Sequence, residues 1–338
     1  MILFDSVYIH QGGGKTILNI LLSYILKNKL NEYYFIFDKR YEESLLNKIP
    51  KEQFSLLSSS EVSRRNFYLK NYNKFNTFFC LGNVPPPIYL RDKKVTIYFQ
   101  NELLLKARLF NLKESLFWIK RQYISLLKIN NYKWVVQTEL MKNKLTDGLK
   151  ISNKMIKILP VFPILKKNKK HSKLNNSFIY VASGEYHKNH ERLVKAMLMA
   201  SKKLNKSINL YVTLENNRFK DLLEKISSQN SKFQIQNLGV LKQDLILDYY
   251  SKSKFLIYPS VFESFGLPLI EASQQDCVVL ASDLPYVKEV ISNFYSFDPL
   301  DINDISLAIE KVIYLEDPNK SVLKIKSEET ALINYLND

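Results

Sequence analysis

Cysteine and histidine are scarce in this chain. Its 338 residues hold two cysteines, Cys80 and Cys277, and four histidines. Two cysteines far apart make no disulfide framework, and their scarcity suits a reducing compartment. Neither they nor the histidines fall at metal-ligand spacing, so no metal site is expected. Long apolar runs are missing too: no stretch reaches the roughly 18 residues a membrane span needs. The opening Met1-Ile2-Leu3-Phe4-Asp5 has no basic lead and no small-residue cleavage site. It reads as a first strand rather than a signal peptide. No repeat of solenoid or propeller length occurs.

Two nucleotide motifs are incomplete. Gly14-Lys15-Thr16 would end a P-loop, but the first glycine of that motif falls on Ile9. Gly12 and Gly14 would open a nicotinamide fingerprint, but its third glycine falls on Ile17. Acidic residues are in deficit on one side only. The whole chain has 49 Lys+Arg against 33 Asp+Glu, a net +16. Through Lys173 the counts are 31 and 12, or +19; from Leu174 onward they are 18 and 21, or −3. Coding bias toward lysine would charge both halves alike. A basic first half implies an anionic partner for that half: an anionic membrane, a phosphorylated acceptor or nucleic acid.

Short apolar strands alternate with helical patterns throughout, the mark of buried parallel sheets. Strands are expected at Val7–Ile9, Tyr33–Phe37, Thr77–Leu81, Val95–Phe99 and Trp134–Gln137. In the second half they are expected at Phe178–Ala182, Asn209–Thr213, Phe233–Leu238, Phe255–Tyr258 and Val278–Ala281. Helices are expected at Lys15–Lys27, Leu103–Ile129, Glu191–Leu204 and Leu267–Gln275. The charged run Lys166–Lys173 reads as a linker. The plan is α/β with two Rossmann-like domains, residues 1–165 and 174–316, and a cleft between them where strand carboxyl ends face a ligand. Residues 317–338 are expected to form a helical tail that packs back on the first domain.

The informative segment is Tyr258-Pro259-Ser260-Val261-Phe262-Glu263-Ser264-Phe265-Gly266-Leu267-Pro268-Leu269-Ile270-Glu271-Ala272-Ser273. A strand ends at Tyr258, a loop with Gly266 turns, and Pro268 suits the first turn of a helix. The free N–H groups around Phe265, Gly266 and Leu267 make an anion site suited to a diphosphate. Glu263 lies before the helix and Glu271 about one turn inside it. Two carboxylates there can accept hydroxyl hydrogen bonds from a sugar and a ribose. The bland alternative is a strand–loop–helix corner carrying two surface glutamates.

This segment resembles the glutamate–seven residues–glutamate signature of glycosyltransferase family 4, whose members adopt the GT-B fold. The resemblance implies a retaining glycosyltransferase in which Glu263 meets the donor sugar and Glu271 the ribose hydroxyls of a nucleotide-sugar donor. Upstream, Ser183-Gly184-Glu185-Tyr186-His187-Lys188-Asn189-His190-Glu191-Arg192-Leu193 resembles the loop where members place a diphosphate-binding lysine, here Lys188. Ser183 and Gly184 join the donor site by the same resemblance. The arginine that many members carry just before that lysine is absent, its place taken by Glu185 or Tyr186, and Lys242 is the suggested substitute. In the first domain, Gly13, Gly14, Asn83 and Gln100 stand where members line the acceptor side. Some relatives carry a histidine where Gln100 stands, so no general base is named. No two aspartates stand two apart, so the metal-binding Asp-x-Asp of the other major glycosyltransferase fold is missing. The family needs neither metal nor cofactor.

The resemblance runs strongly from about Ser177 to Val290 and implies a role in assembling capsule, O-antigen or similar surface polysaccharide, with a lipid-linked saccharide as acceptor. Together with the basic first half, it places the protein in the cytoplasm, peripheral on the inner face of the cell membrane. The helix expected at Leu103–Ile129 is the membrane candidate. Leu105, Leu109, Leu112, Leu116, Ile119, Tyr123, Leu126 and Leu127 recur at helical spacing among Lys106, Arg108, Lys113, Lys120, Arg121 and Lys128, with Phe117 and Trp118 as interfacial residues. A core-packing helix with solvated lysines is the alternative. Two other functions stay open: a GT-B sugar-nucleotide epimerase or phosphorylase, and, more distantly, a basic nucleic-acid-binding protein. No recognised nucleic-acid motif supports the last, so no nucleic-acid partner is expected.

Overall fold

The computed structural model describes residues 1–106, 112–168, 171–224 and 232–337. The chain divides into two compact units, Met1–Pro163 with Lys326–Asp338, and Ile164–Ile325.

The first unit is a parallel sheet of seven strands: β1 (Ile2–Ser6), β2 (Tyr33–Asp38), β3 (Phe54–Leu57), β4 (Thr77–Cys80), β5 (Lys94–Tyr98), β6 (Lys133–Val136) and β7 (Ile156–Ile158). They lie in the order β3-β2-β1-β4-β5-β6-β7. Neighbours along a strand point to opposite faces. Phe4, Phe35, Phe37 and Phe79 enter one core with Leu18, Leu21 and Leu22 of helix α1 (Gly12–Lys27). Leu3, Ile36, Phe78 and Cys80 enter the other with Tyr68 of α2 (Glu61–Asn71) and Leu145 of α5 (Glu139–Leu149). Burial on both faces is why these strands read as unbroken apolar runs.

The expected strand at Val7–Ile9 is a turn instead. β1 stops at Ser6, Tyr8 sits at φ 84°, and Ile9 N donates to Ser6 O. Strands β3 and β7, of four and three residues, went unanticipated because so short a segment carries no periodicity. The expected helix Leu103–Ile129 is two described pieces, α3 (Leu103–Lys106) and α4 (Leu112–Leu127). Leu109 and Arg108 lie outside the described residues, and the side chains of Lys106, Leu112 and Lys113 are not described.

Beneath this sheet the Arg64 guanidinium donates to Asp5 Oδ2 at 2.7 Å and to the carbonyls of Pro85 and Val84. Both side chains of the pair are 2% exposed. Asp5 also accepts from Tyr68 at 2.8 Å. The C-terminal helix α12 (Glu329–Asn337) places Leu332, Ile333 and Leu336 in the core beside α1. Its Tyr335 ring lies under Lys133 and Lys157, with the ammonium groups 4.8 and 4.4 Å from the centroid. Only Lys326–Asp338 belongs to the first unit; residues 317–325, assigned to the tail on sequence, stay with the second.

The second unit is a parallel sheet in the order β10-β9-β8-β11-β12-β14, made of β8 (Leu174–Tyr180), β9 (Ile208–Val212), β10 (Phe233–Asn237), β11 (Ser253–Tyr258), β12 (Val278–Ser282) and β14 (Tyr295–Phe297). A separate antiparallel pair joins β13 (Ile291–Ser292) to β15 (Val322–Leu323). The helices are α6 (His190–Leu204), α7 (Asn216–Glu224), α8 (Gln243–Lys252), α9 (Leu267–Gln274), α10 (Pro285–Val290) and α11 (Ile302–Tyr314). The charged run read as a linker packs on this unit. Lys173 Nζ donates to the carbonyl oxygens of Tyr250 and Gln275, and Lys167 pairs with Asp276 at 2.9 Å. A lysine can lie against a core when carbonyls meet its three donors, a compensation no charge count reveals. Lys169 and Lys170 lie outside the described residues.

Candidate active site

The site begins where β8 and β11 end side by side, paired in parallel through Phe178–Phe255 and Ile179–Leu256. Doubly wound sheets present their loops to ligands at this carboxyl edge. The two following loops are tied together. Val261 N donates to His187 O at 2.9 Å. Asn189, in the left-handed region at φ 62°, donates from Nδ2 to Pro259 O at 3.1 Å and to Pro299 O at 2.6 Å. Tyr180 donates to Lys188 O at 2.7 Å and pairs its hydroxyl with Ser260 Oγ at 2.9 Å. His187 stacks on Phe262 with centroids 4.5 Å apart.

The tied loops bring Lys188 to Glu263. The ammonium donates to Glu263 Oε1 at 2.5 Å, and the Tyr258 hydroxyl donates to the same oxygen at 2.9 Å. The two side chains keep 15% and 13% exposure, so the pair is largely screened from water yet reachable. Ser183 donates its hydroxyl to Glu185, which holds that carboxyl low against the upward push of burial. His190, the first residue of α6, is driven down to about 4 by burial and lies against the Tyr180 ring. It therefore brings no positive charge at neutral pH.

Gly266 opens α9 at φ +81°, a conformation that favours glycine. A Cβ there would meet Leu269 Cδ1 at 3.0 Å. No side chain caps this helix start; Pro268 has no N–H and Leu269 N donates to Gly266 O at 2.9 Å, so the N–H groups of Gly266 and Leu267 are the ones it offers an anion. Phe265 is buried beside it, and Leu267 begins the helix. One turn on, Glu271 is 8% exposed and accepts from Tyr250 at 3.2 Å and from Gln243 Nε2 at 3.5 Å. Burial pushes its carboxyl up to about 7, against the smaller opposing pull of those two donors. Lys242, exposed at the N-cap of α8, makes no side-chain hydrogen bond or ion pair among the described residues.

In the first unit, Gly14, Asn83 and Gln100 meet at the carboxyl edge of the sheet. Asn83 Oδ1 accepts from Gln100 N at 2.6 Å, and a Cβ on Gly14 would lie 3.1 Å from Gln100 Nε2. Gly13 is exposed in the first turn of α1. Sequence reasoning missed three neighbours of the candidate residues: Tyr250 and Gln243 at Glu271, and Arg218, whose side chain lies over Gly184. Nothing in the local pattern marks them, since each arrives from another loop or helix. Among the described residues no cluster of His, Cys, Asp and Glu could hold a metal.

The segment that builds this geometry is also the one that known proteins share. Residues 161–328 match the family model described as Glycosyl transferases group 1. The capsular polysaccharide biosynthesis glycosyltransferase CapH of Staphylococcus aureus is 28% identical over 188 residues, which is 52% of this chain and 52% of CapH. The serotype-specific mannosyltransferase WbdA of Escherichia coli is 32% identical over 149 residues, 42% of this chain and 18% of WbdA. The chain thus spans about half, or less, of the curated relatives it matches. HepE of Anabaena, solved in complex with UDP-glucose, superposes with a TM-score of 0.68 at 11% identity, over 93% of this chain and 89% of its own. The fold class is GT-B, two parallel-sheet α/β units.

Proposed function

We propose that the protein transfers a sugar from a nucleoside-diphosphate donor to a saccharide acceptor with retention at the anomeric carbon. The observation that carries this is the Lys188–Glu263 pair beside the uncapped start of α9, one turn before the buried Glu271. It supplies, in one loop corner, a cation and N–H groups for a diphosphate and two carboxylates for hydroxyls. In this reading Glu271 accepts from the ribose and Glu263 from the donor sugar. The bond from the anomeric carbon to the diphosphate oxygen breaks as the acceptor hydroxyl oxygen bonds to that carbon from the same face. The acceptor's proton passes to the departing diphosphate, whose charge Lys188 and the helix start stabilise. Gly13, Gly14, Asn83 and Gln100 meet the acceptor.

The setting is surface-polysaccharide assembly, supported by the role in the name of CapH, and the acceptor is a lipid-linked saccharide. No helix among the described residues is long and apolar enough to cross a membrane. The first unit instead rests on the anionic inner face of the cell membrane. Supporting this, Leu116, Ile119 and Leu126 of α4 are 62%, 56% and 70% exposed, while Ile124 and Leu127 of the same helix are buried. Two of the bases between them are engaged elsewhere: Arg121 donates to the carbonyls of Leu105 and Gly148, and Lys128 to that of Leu149. Lys120 is exposed and free to meet lipid phosphates. Each basic residue at such a surface adds about 1 kcal/mol, so binding should be reversible and salt-sensitive.

A panel of UDP- and GDP-sugars tested by thermal shift, then turned over with an acceptor and read by NMR of the product anomer, tests the reaction. Inverted product defeats the retaining mechanism. Release of sugar phosphate or an epimerised donor without acceptor points to the phosphorylase or epimerase reading. Liposome co-sedimentation tests the membrane claim; equal pelleting on neutral and anionic vesicles defeats it.

A further inference from the structure

Arg218 stands over the donor loop from an element that shares no motif with it. It lies in the first turn of α7, which follows β9, the strand beside β8. The two loops are joined where Ala182 N donates to Thr213 Oγ1 at 3.1 Å. A Cβ added to Gly184 would lie 2.8 Å from Arg218 Cγ, 3.0 Å from its Cβ and 3.3 Å from its Cδ. The aliphatic stem therefore crosses directly above the Gly184 backbone, in the loop that carries Ser183 and Lys188. The glycine is there because any side chain would displace that stem.

Charge explains why a further cation is needed. Lys188 is paired with Glu263 at 2.5 Å, and Glu185 also lies within its field. Those three groups together carry one net negative charge, and His190, held down to about 4, adds none at neutral pH. A diphosphate brought to this corner meets an ion pair already closed and a spare carboxylate. Arg218 makes no side-chain hydrogen bond or ion pair among the described residues and is exposed. Its planar fork suits two phosphate oxygens at once. Lys242 is also uncommitted, but it starts α8, whose next residue, Gln243, reaches Glu271 rather than the Gly184 loop.

We propose that Arg218 binds the diphosphate of the donor, supplying from α7 the positive charge that Glu263 withdraws from Lys188. This rests on the donor-site reading above. The test is isothermal calorimetry on the full chain with UDP, GDP and the matching nucleosides. In Arg218→Ala the affinity for the bound diphosphate should fall about 10- to 100-fold, the equivalent of one charge-assisted bond. Nucleoside affinity should stay unchanged, and the slope of log affinity against log salt should become shallower. Arg218→Lys should recover part of the loss, whereas Lys242→Ala should cost little. Unchanged diphosphate affinity in Arg218→Ala, with Glu271→Gln still weakened, overturns the Arg218 assignment and leaves the donor site standing. An equal loss for nucleoside and diphosphate also overturns it, since that marks a fold defect or a base contact. If the wild type binds neither UDP nor GDP, both readings fall together.

Discussion

Replacing Glu271 with glutamine should make the protein more stable and the site weaker, and pH should separate the two effects. Glu271 is 8% exposed, and burial raises its carboxyl from 4.5 to about 7. Below the unfolded value both states are protonated and the buried carboxyl is neutral. Between that value and about 7 the folded state holds a proton that the unfolded chain has released, so stability falls as pH rises through this window. A gap of this size corresponds to roughly 3 kcal/mol at pH 8, an upper bound because the site can relax. Glutamine keeps the shape and the two partners, Tyr250 and Gln243, without the charge. Calorimetric melting of both proteins at pH 5 and pH 8 is the assay. At roughly 2–4 °C per kcal/mol for a unit of this size, the variant should melt about 6–12 °C higher at pH 8 and close to wild type at pH 5. Adding the bound nucleoside diphosphate at pH 8 should then raise the wild-type melting temperature by more than the variant's. A melting difference independent of pH, or equal stabilisation of both proteins by nucleotide, would refute the reasoning.

Other outcomes follow from the same geometry. Glu263→Ala should lower kcat by about 100-fold or more while nucleoside diphosphate binding holds or tightens, because the charge of Lys188 is released to the diphosphate; a large rise in Kd with kcat intact would reverse the assignment. Arg64→Met leaves the Asp5 carboxylate buried with only Tyr68 and the Val7 N–H to meet it. It should cost the first unit about 3–5 kcal/mol in urea unfolding. Both tryptophans, Trp118 and Trp134, belong to that unit, so fluorescence reports it directly. A loss under about 1 kcal/mol would show that the buried pair is not what holds that sheet to α2. Adding salt should release the protein from anionic vesicles, and Leu116→Asp with Leu126→Asp should do the same without altering nucleotide affinity; binding indifferent to both changes would return α4 to a purely structural role.

Much of the architecture is written locally. Unbroken apolar runs such as Tyr33–Phe37 and Val278–Ala281 announce strands buried on both faces, and the helices between them announce a parallel sheet. The loop at Glu263–Glu271 is equally local: Gly266 must turn at positive φ, Pro268 must open a helix, and the spacing sets the second glutamate one turn in. Amino-acid order alone therefore determined two α/β units, the corner that holds the candidate site, and its kinship with a glycosyltransferase family. Only the tertiary structure decided which side chains meet. It closed Lys188 onto Glu263 across 75 positions, and it stacked α8 on Glu271 so that burial raised the carboxyl. It also spent Arg121, Lys128 and Lys173 on backbone carbonyls, where a charge count had left them for lipid or solvent. Such pairings depend on the order in which distant strands lie side by side. That order is a property of the sheet and is not encoded in the spacing of residues along the chain.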